Sequence, residues 1–159
     1  MRFLRLLSIL ICILVIFLGG CSKNYKTSNN EREEAKQTLI NYLKAVNENK
    51  YDEQLQYLSH WKVNEFEQNR IRWNVIPKYE YMRIVNITPD NSENSKKAYL
   101  VNGRGTITKP SKLAIFKVNL EYKLISEGAE PNGDKKVSWG YVLIKEKEND
   151  SWKIDDWGY

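Results

Sequence analysis

Residues that build metal sites and covalent catalytic centres are scarce in this sequence. Its 159 residues include two cysteines, Cys12 and Cys21, and one histidine, His60. A zinc site needs several nitrogen or sulfur ligands, so a zinc centre is not expected. The sequence also has no Gly-x-Ser-x-Gly motif, and a hydrolytic nucleophile is hard to place without one. We therefore predict no metal, no cofactor and no enzymatic activity.

Long basic runs are also missing, although the chain is basic overall. The formal net charge is +5, from 25 Lys and Arg against 20 Asp and Glu. The longest basic runs are pairs such as Lys96-Lys97 and Lys135-Lys136, whereas nucleic acid-binding proteins concentrate cations on one face or along one helix. We therefore expect no nucleic acid partner.

The first 20 residues have the three parts of a secretory signal peptide. Arg2 and Arg5 make the start positive, residues 6–18 form an apolar stretch interrupted only by Ser8, and Gly19-Gly20 closes the segment. This stretch of 13 residues is too short for a permanent membrane-spanning helix, which needs about 20 apolar residues. We therefore predict that the segment is cleaved and that the following chain is exported.

The end of this segment, Leu18-Gly19-Gly20-Cys21, resembles the lipobox of bacterial lipoprotein signal peptides. The resemblance implies cleavage between Gly20 and Cys21 and a diacylglyceryl group on the Cys21 thiol. Two acyl chains give stable anchoring, whereas one chain holds a protein only marginally. We therefore expect a lipid-anchored protein on the extracytoplasmic face of the cell membrane.

Cleavage at this position defines the organisation of the rest of the chain. Cys12 would leave with the signal peptide, so the mature chain would hold no internal disulfide. Residues 22–30 are polar and lack a periodic apolar pattern, which is typical of a flexible linker. We predict a signal peptide at residues 1–20, a lipidated cysteine and flexible tether at residues 21–30, and one domain at residues 31–159.

Hydrophobic periodicity in this domain predicts helices first and strands second. Apolar residues recur at helical spacing over residues 31–48, with a capping box expected at Asn30 and Glu33. Shorter helices are expected after Asp52 and over residues 62–74. Strands, with a period of two, are predicted at residues 79–87, 97–107, 114–124, 137–145 and 151–157, with hairpin turns at 89–95 and 127–136. We therefore predict an α+β fold, with N-terminal helices packed on a curved antiparallel sheet of four to six strands.

The same order of elements resembles the nuclear transport factor 2-like superfamily, and in particular small exported lipoproteins of Gram-positive bacteria. The resemblance covers residues 31–159 and rests on a leading helix that ends in Asn-Lys-Tyr-Asp (49–52) and on a closing Asp-Ser-Trp-Lys-Ile-Asp-Asp (150–156). It implies a cone whose sheet and helices enclose a cavity for small molecules. It also implies, for some members, a homodimer formed through the sheet face. A cystatin-like sheet with one helix is the alternative fold.

Four residues are candidates for pocket or partner contacts: His60, Trp61, Trp73 and Trp157. Aromatic faces bind sugars and apolar ligands, although a small domain also needs large side chains for its core. An imidazole titrates near neutral pH, and His60 would therefore suit a general base. No acid paired with it is identifiable from the spacing, so we assign it no catalytic duty.

The combined features predict a non-enzymatic binding or interaction module, tethered to the membrane, whose partner is an unidentified protein or small molecule. One alternative is a small cone-pocket enzyme of the isomerase or dehydratase type, with His60, Asp155 or Asp156 as candidate groups. We expect both of these aspartates to face solvent, because they lie at the end of the last strand. The other alternative is an assembly component of a cell-envelope machine.

Overall fold

The domain consists of three helices followed by a four-stranded sheet, with a helical connection between the first two strands. This computed structural model describes Tyr25 and residues 27–73, 77–125 and 135–158. The elements are α1 (Asn29–Asn47), α2 (Tyr51–Leu55), α3 (His60–Trp73), β1 (Tyr79–Pro89), α4 (Glu93–Lys97), a π-helical turn (Ala98–Asn102), α5 (Gly105–Thr108), β2 (Lys112–Leu124), β3 (Lys135–Lys145) and β4 (Lys153–Trp157). The α+β class with N-terminal helices is confirmed. Within the described ranges, no helix is both long enough and apolar enough to cross a bilayer.

Helix α1 begins at Asn29, two residues before the predicted start. Ser28 is its N-cap: Glu31 N donates to Ser28 Oγ (3.3 Å), and Ser28 N donates to Glu31 Oε2 (2.9 Å). This capping box replaces the one predicted at Asn30 and Glu33, because Asn30 already lies inside the helix. The buried face of α1 is the one that the spacing predicts: Ala35, Leu39, Tyr42, Leu43 and Val46.

The sheet is antiparallel throughout and its strands follow chain order, β1-β2-β3-β4. Successive residues of a strand point to opposite faces. Ala114, Phe116 and Val118 of β2 join the core beneath α1, whereas Leu113 and Ile115 join a smaller core on the other side of the sheet. We call these sides the inner face and the outer face. Apolar and polar residues alternate over residues 114–124, which predicts one buried and one solvent-exposed face. Both faces are buried along the first part of β2, so this prediction is wrong there.

The reason is a helical connection, residues 90–111, which crosses the outer face between β1 and β2. Its Tyr99 is 1 % exposed and packs with Leu113, Ile115, Val142 and Ile144. The strand predicted at residues 97–107 and the hairpin predicted at 89–95 are therefore wrong. The apolar run that suggested a strand is instead part of a π-helical turn that buries Tyr99 against the sheet.

Strand β4 contains a bulge at Asp155. Val142 pairs with Asp156 and Leu143 pairs with Ile154, so Asp155 has no opposite residue on β3. A bulge of this kind redirects the side chain of the extra residue. The other edge of β4 is also occupied, because Ser59 N donates to Ile154 O (2.8 Å). Asp155 thereby sits between the sheet and the chain that leads into α3.

Candidate functional site

A cleft on the outer face lies between the helical connection and strands β2 and β3. Its volume is about 270 Å³, slightly below the ~300 Å³ at which pockets for drug-sized ligands begin. Cross-strand pairing places Ile115 opposite Val142 and Lys117 opposite Gly140, which brings these residues to one face. The full lining is Asp90, Ser95, Ala98, Tyr99, Ile115, Lys117, Ser138, Gly140 and Val142. The cleft thus combines an apolar floor with several polar groups.

Hydrogen bonds to Asp90 fix the first turn of the connection at one side of the cleft. Ser92 N donates to Asp90 Oδ1 (2.8 Å), and Ser95 Oγ donates to Asp90 Oδ2 (2.6 Å). The hydrogen bond from Ser95 is the main cause that holds the pKa of Asp90 below its usual value, and the nearby charge of Lys117 acts in the same direction. Asp90 is therefore an ionised carboxylate with both oxygens already engaged.

Tyr99 fixes the connection at the other side, through a buried carboxylate. Its hydroxyl donates to Asp155 Oδ2 (2.6 Å) and lies 3.0 Å from Thr108 Oγ1. Ser59 Oγ also donates to Asp155. Asp155 is 0 % exposed, and this burial raises the pKa of its carboxyl group. The expectation that Asp155 faces solvent is wrong, because Ser59 and the helical connection with Tyr99 cover its side chain.

An ionic network extends this cluster to helix α3. Arg104 Nε lies 3.8 Å from Asp155 Oδ2, and the Arg104 guanidinium also pairs with Glu65. Lys62 Nζ lies 3.1 Å from Glu65 Oε1 and 3.4 Å from Asp156 Oδ1. Asp156 is thus partly buried and has an ionic partner, in contrast to the predicted solvent-facing position. The network joins the connection, α3 and β4 into one packed unit.

A second, smaller depression adjoins the cleft where the chain enters the domain. Its volume is about 130 Å³, and it shares Asp90 and Ile115 with the first cleft. Tyr25 packs against the outer-face core, and Thr27 Oγ1 donates to Leu113 O (2.7 Å). Arg32 also lines this depression. Two residues of the segment predicted to be a tether therefore contact the domain directly.

The structure brings His60 and Trp61 together at the start of α3, away from the cleft. The two ring centroids are 4.7 Å apart, and Trp61 is 39 % exposed. His60 Nδ1 lies 2.7 Å from Glu146 Oε1, which is the paired acid that spacing did not reveal. His60 and Glu146 line an open surface depression together with Lys153. Two exposed rings and one exposed hydrogen-bonded pair do not enclose a substrate, so we do not place the site here.

The other predicted residues are separate from this pair. Trp157 packs near Tyr42, Phe66 and Tyr141 at the edge of the inner core, and Lys62 Nζ lies 4.1 Å from the centre of its ring. Trp157 therefore contributes to the packing of the inner core. Gly20, Cys21 and the side chain of Trp73 lie outside the residues that the structure describes.

The sequence alone does not identify the residues that line the cleft. Lys117 and Ser138 stand 21 positions apart by number, and only the register of β2 and β3 brings them to one face. A local signal for the connection does exist, because Ser92 caps α4 by accepting from Ser95 N (3.2 Å). A serine followed by an acidic residue in the first turn is typical of a helix start. That signal competed with the strand-like spacing of the residues that follow.

Within Tyr25 and residues 27–73, 77–125 and 135–158, no three His, Cys, Asp or Glu side chains cluster as ligands would. The carboxylates of the Asp155 network are paired with hydroxyl groups and cations.

Comparison with known proteins gives one family match. The profile of a family described as Domain of unknown function (DUF4829) matches residues 36–158. This range contains all of the cleft lining and the Asp155 network. No curated protein matches the chain, and no solved structure matches it.

Proposed function

Since the chain belongs to the DUF4829 family, whose description assigns no function, we propose a role from its geometry and its N-terminal motif. It is a membrane-anchored, extracytoplasmic lipoprotein that acts as a non-enzymatic binding module, and its ligand occupies the outer-face cleft. The observation that carries this proposal is the cleft itself, where an apolar floor meets a few convergent polar groups. Such a combination is typical of small-molecule sites.

The rigidity of the cleft supports a binding role. The helical connection that covers the cleft is held to the sheet by the hydrogen bond from Tyr99 to Asp155. The first turn of this connection is held by hydrogen bonds to Asp90. A preformed site loses less conformational entropy when a ligand binds than a site that must first order itself. The floor, formed by Ile115 and Val142, is held by two central strands.

The anchoring proposal is supported by the lipobox resemblance and by the attachment of the chain at Tyr25. Three residues separate Cys21 from Tyr25. Four peptide steps span at most about 14 Å. A lipid on Cys21 would therefore hold the Tyr25 side of the domain close to the bilayer surface.

The finer fold assignment is also a proposal. The order of helices followed by an antiparallel sheet supports membership of the nuclear transport factor 2-like superfamily. The inner face, where the cone cavity of that superfamily would lie, is occupied by buried side chains such as Leu39, Leu43 and Phe116. We therefore place the ligand on the outer face instead.

The anchor is tested by Cys21→Ser. The variant lacks the thiol that would carry the diacylglyceryl group and mark the cleavage position. We therefore expect its intact mass to correspond to an uncleaved, unacylated chain, whereas the wild-type protein shows a cleaved, acylated one. Intact mass measurement is the readout, because the uncleaved apolar leader would by itself hold the variant in the membrane. Cys12→Ser is the matched control and should be cleaved and acylated like the wild type. A wild-type mass without the diacylglyceryl group would refute lipid anchoring.

The binding site is tested by filling the cleft with Ser138→Trp. Ser138 is exposed on β3 and lines the cleft, and a tryptophan is compatible with a strand. The indole should occupy the space of a ligand. We expect the affinity for 1-octanol, an uncharged amphiphilic probe, to fall at least tenfold. The readout is titration calorimetry of the lipidated protein in phosphatidylcholine nanodiscs, with empty nanodiscs as the blank.

Ser138→Ala is the control for this variant, because it removes the hydroxyl group and leaves the space open. It should bind 1-octanol within twofold of the wild-type affinity. If the wild type does not bind the probe, or if Ser138→Trp binds it equally well, the outer-face cleft is not the binding site.

A further inference from the structure

The charged groups that line the cleft differ in their availability to a ligand. Both oxygens of Asp90 accept hydrogen bonds from the connection. Lys117 lies opposite Gly140 on the outer face. Its charge acts on Asp90, but its ammonium group makes no direct ion pair with a carboxylate of the described ranges. The ammonium group of Lys117 is therefore the cation of this cleft that can pair directly with a ligand. Its natural partner is an anion.

The apolar floor limits what kind of anion fits. Ile115 and Val142 lie side by side across β2 and β3, and Ala98 and Tyr99 lie above them. A small hydrated anion would leave this apolar surface in contact with water, whereas a ligand with an apolar part would cover it. The ligand should therefore carry a negative group and a short apolar body.

The depression beside the cleft continues the same surface towards the N-terminal segment. It shares Asp90 and Ile115 with the cleft, and its lining includes Tyr25, Arg32 and Lys96. Lys96 pairs with Glu93 (2.7 Å), whereas Arg32 makes no ion pair within the described ranges. A cationic surface of this kind favours an anionic bilayer when it is held close to one. The chain between Cys21 and Tyr25 spans at most about 14 Å when fully extended.

We propose that the cleft binds an anionic amphiphile whose negative group pairs with Lys117 and whose apolar part lies on Ile115 and Val142, and that the amphiphile comes from the bilayer. This inference rests on the proposed function and adds to it the charge of the ligand and its source. The Lys117 ammonium group supplies the charge preference. The attachment of the chain at Tyr25, beside the cleft, places the opening near the lipid.

The charge preference is tested with octanoate and 1-octanol, two probes of equal chain length that differ in charge at neutral pH. The lipidated protein is carried in phosphatidylcholine nanodiscs and titrated calorimetrically, with empty nanodiscs as the blank. We expect Lys117→Gln to weaken octanoate binding about fivefold, the size of one partly exposed ion pair. Binding of 1-octanol should stay within twofold, because this probe does not use the charge.

Lys147→Gln is the matched control, because Lys147 is an exposed lysine in the turn between β3 and β4, outside the cleft. It should leave both probes unaffected. Equal affinities of wild type and Lys117→Gln for octanoate, or equal weakening of both probes, would overturn the charge preference. Failure of the wild type to bind either probe would instead overturn the proposed function.

The source of the ligand is tested by replacing one third of the nanodisc lipid with phosphatidylglycerol. The probe here is 1-octanol, because the surface potential of the bilayer does not repel an uncharged molecule. If anionic lipid enters the cleft, it competes with the probe, and the apparent affinity of the wild type should fall at least threefold. Lys117→Gln should be much less affected. An unchanged wild-type affinity would overturn the bilayer as the source and leave a soluble anionic amphiphile as the ligand.

Discussion

Replacing Asp155 with alanine is expected to lower the free energy of unfolding by about 3 kcal/mol. The carboxylate accepts hydrogen bonds from Ser59 and Tyr99 and lies 3.8 Å from Arg104 Nε. Hydrogen bonds to a charged group are worth about 1.5 to 3 kcal/mol each, and part of this gain is offset by burial of the charge. Urea denaturation followed by tryptophan fluorescence measures the difference.

Asp156→Ala is the control for this variant. Asp156 is the neighbouring residue, is partly exposed and pairs with Lys62 at 3.4 Å. An ion pair in this position contributes at most about 1 kcal/mol, so the loss should be clearly smaller than for Asp155→Ala. Equal losses at the two positions would show that the buried cluster does not hold the connection.

The pH dependence of stability tests the cause of this effect. Burial raises the pKa of Asp155 above its ordinary value of 3.8. Below pH 3.8 the group is protonated in both states, and as the pH rises the unfolded chain ionises before the folded chain. The folded chain then loses stability until the pH has passed the pKa of its own carboxyl group.

Asp155→Asn removes this titration while keeping the size of the side chain. We expect the variant to gain stability relative to the wild type as the pH rises from 4 to 7. Denaturation curves at four pH values in this window provide the measurement, and all other titrating groups are common to both proteins. A relative loss over the same window would mean that the hydrogen bonds outweigh burial and hold the pKa low.

Replacing Gly105 with alanine is expected to displace the helical connection that covers the cleft. A Cβ atom at this position would lie 2.8 Å from Leu100 Cα and 2.9 Å from both Tyr99 Cε1 and Tyr99 O. Two of these atoms belong to the backbone, so the π-helical turn must shift. Overpacking of this kind costs about 1 to 3 kcal/mol. We expect a loss of about 2 kcal/mol and at least a tenfold loss of 1-octanol affinity, because Tyr99 lines the cleft.

Gly158→Ala separates the effect of position from the effect of losing a glycine. No atom lies within 4 Å of a Cβ built there, but the φ angle of +93° strains any other residue. Gly158→Ala should therefore lose about 1 kcal/mol through backbone strain alone, with unchanged 1-octanol affinity. Unchanged probe affinity in Gly105→Ala would show that the connection does not shape the cleft.

The elements that depend on local patterns were predictable. The spacing of apolar residues in α1 predicts which face of the helix is buried. The structure buries the residues of that face, such as Leu39 and Leu43. Residues 137–145 are apolar on both faces at their centre, which predicts an interior strand, and the structure pairs β3 with β2 and β4. In each case the signal is contained in a short stretch of chain, because helix and strand periods repeat within a few residues.

The connection and the cleft depend instead on partners that are distant along the chain. Tyr99 is separated from its partner Asp155 by 56 residues, and a strand-like run of apolar residues turns helical where this contact buries the ring. Lys117 and Ser138 come together only through the register of the sheet.

The amino-acid sequence alone thus determines the class of the fold, the inner core and the N-terminal motif on which the anchoring proposal rests. The tertiary structure decides that the outer face is covered, that Asp155 is buried and that Lys117 lines a cleft. The physical reason is the range of the interactions. The periodic spacing of apolar residues and the capping of helices depend on residues within one or two helical turns of each other. Burial of a carboxylate and formation of a cleft require groups that only the folded chain brings together.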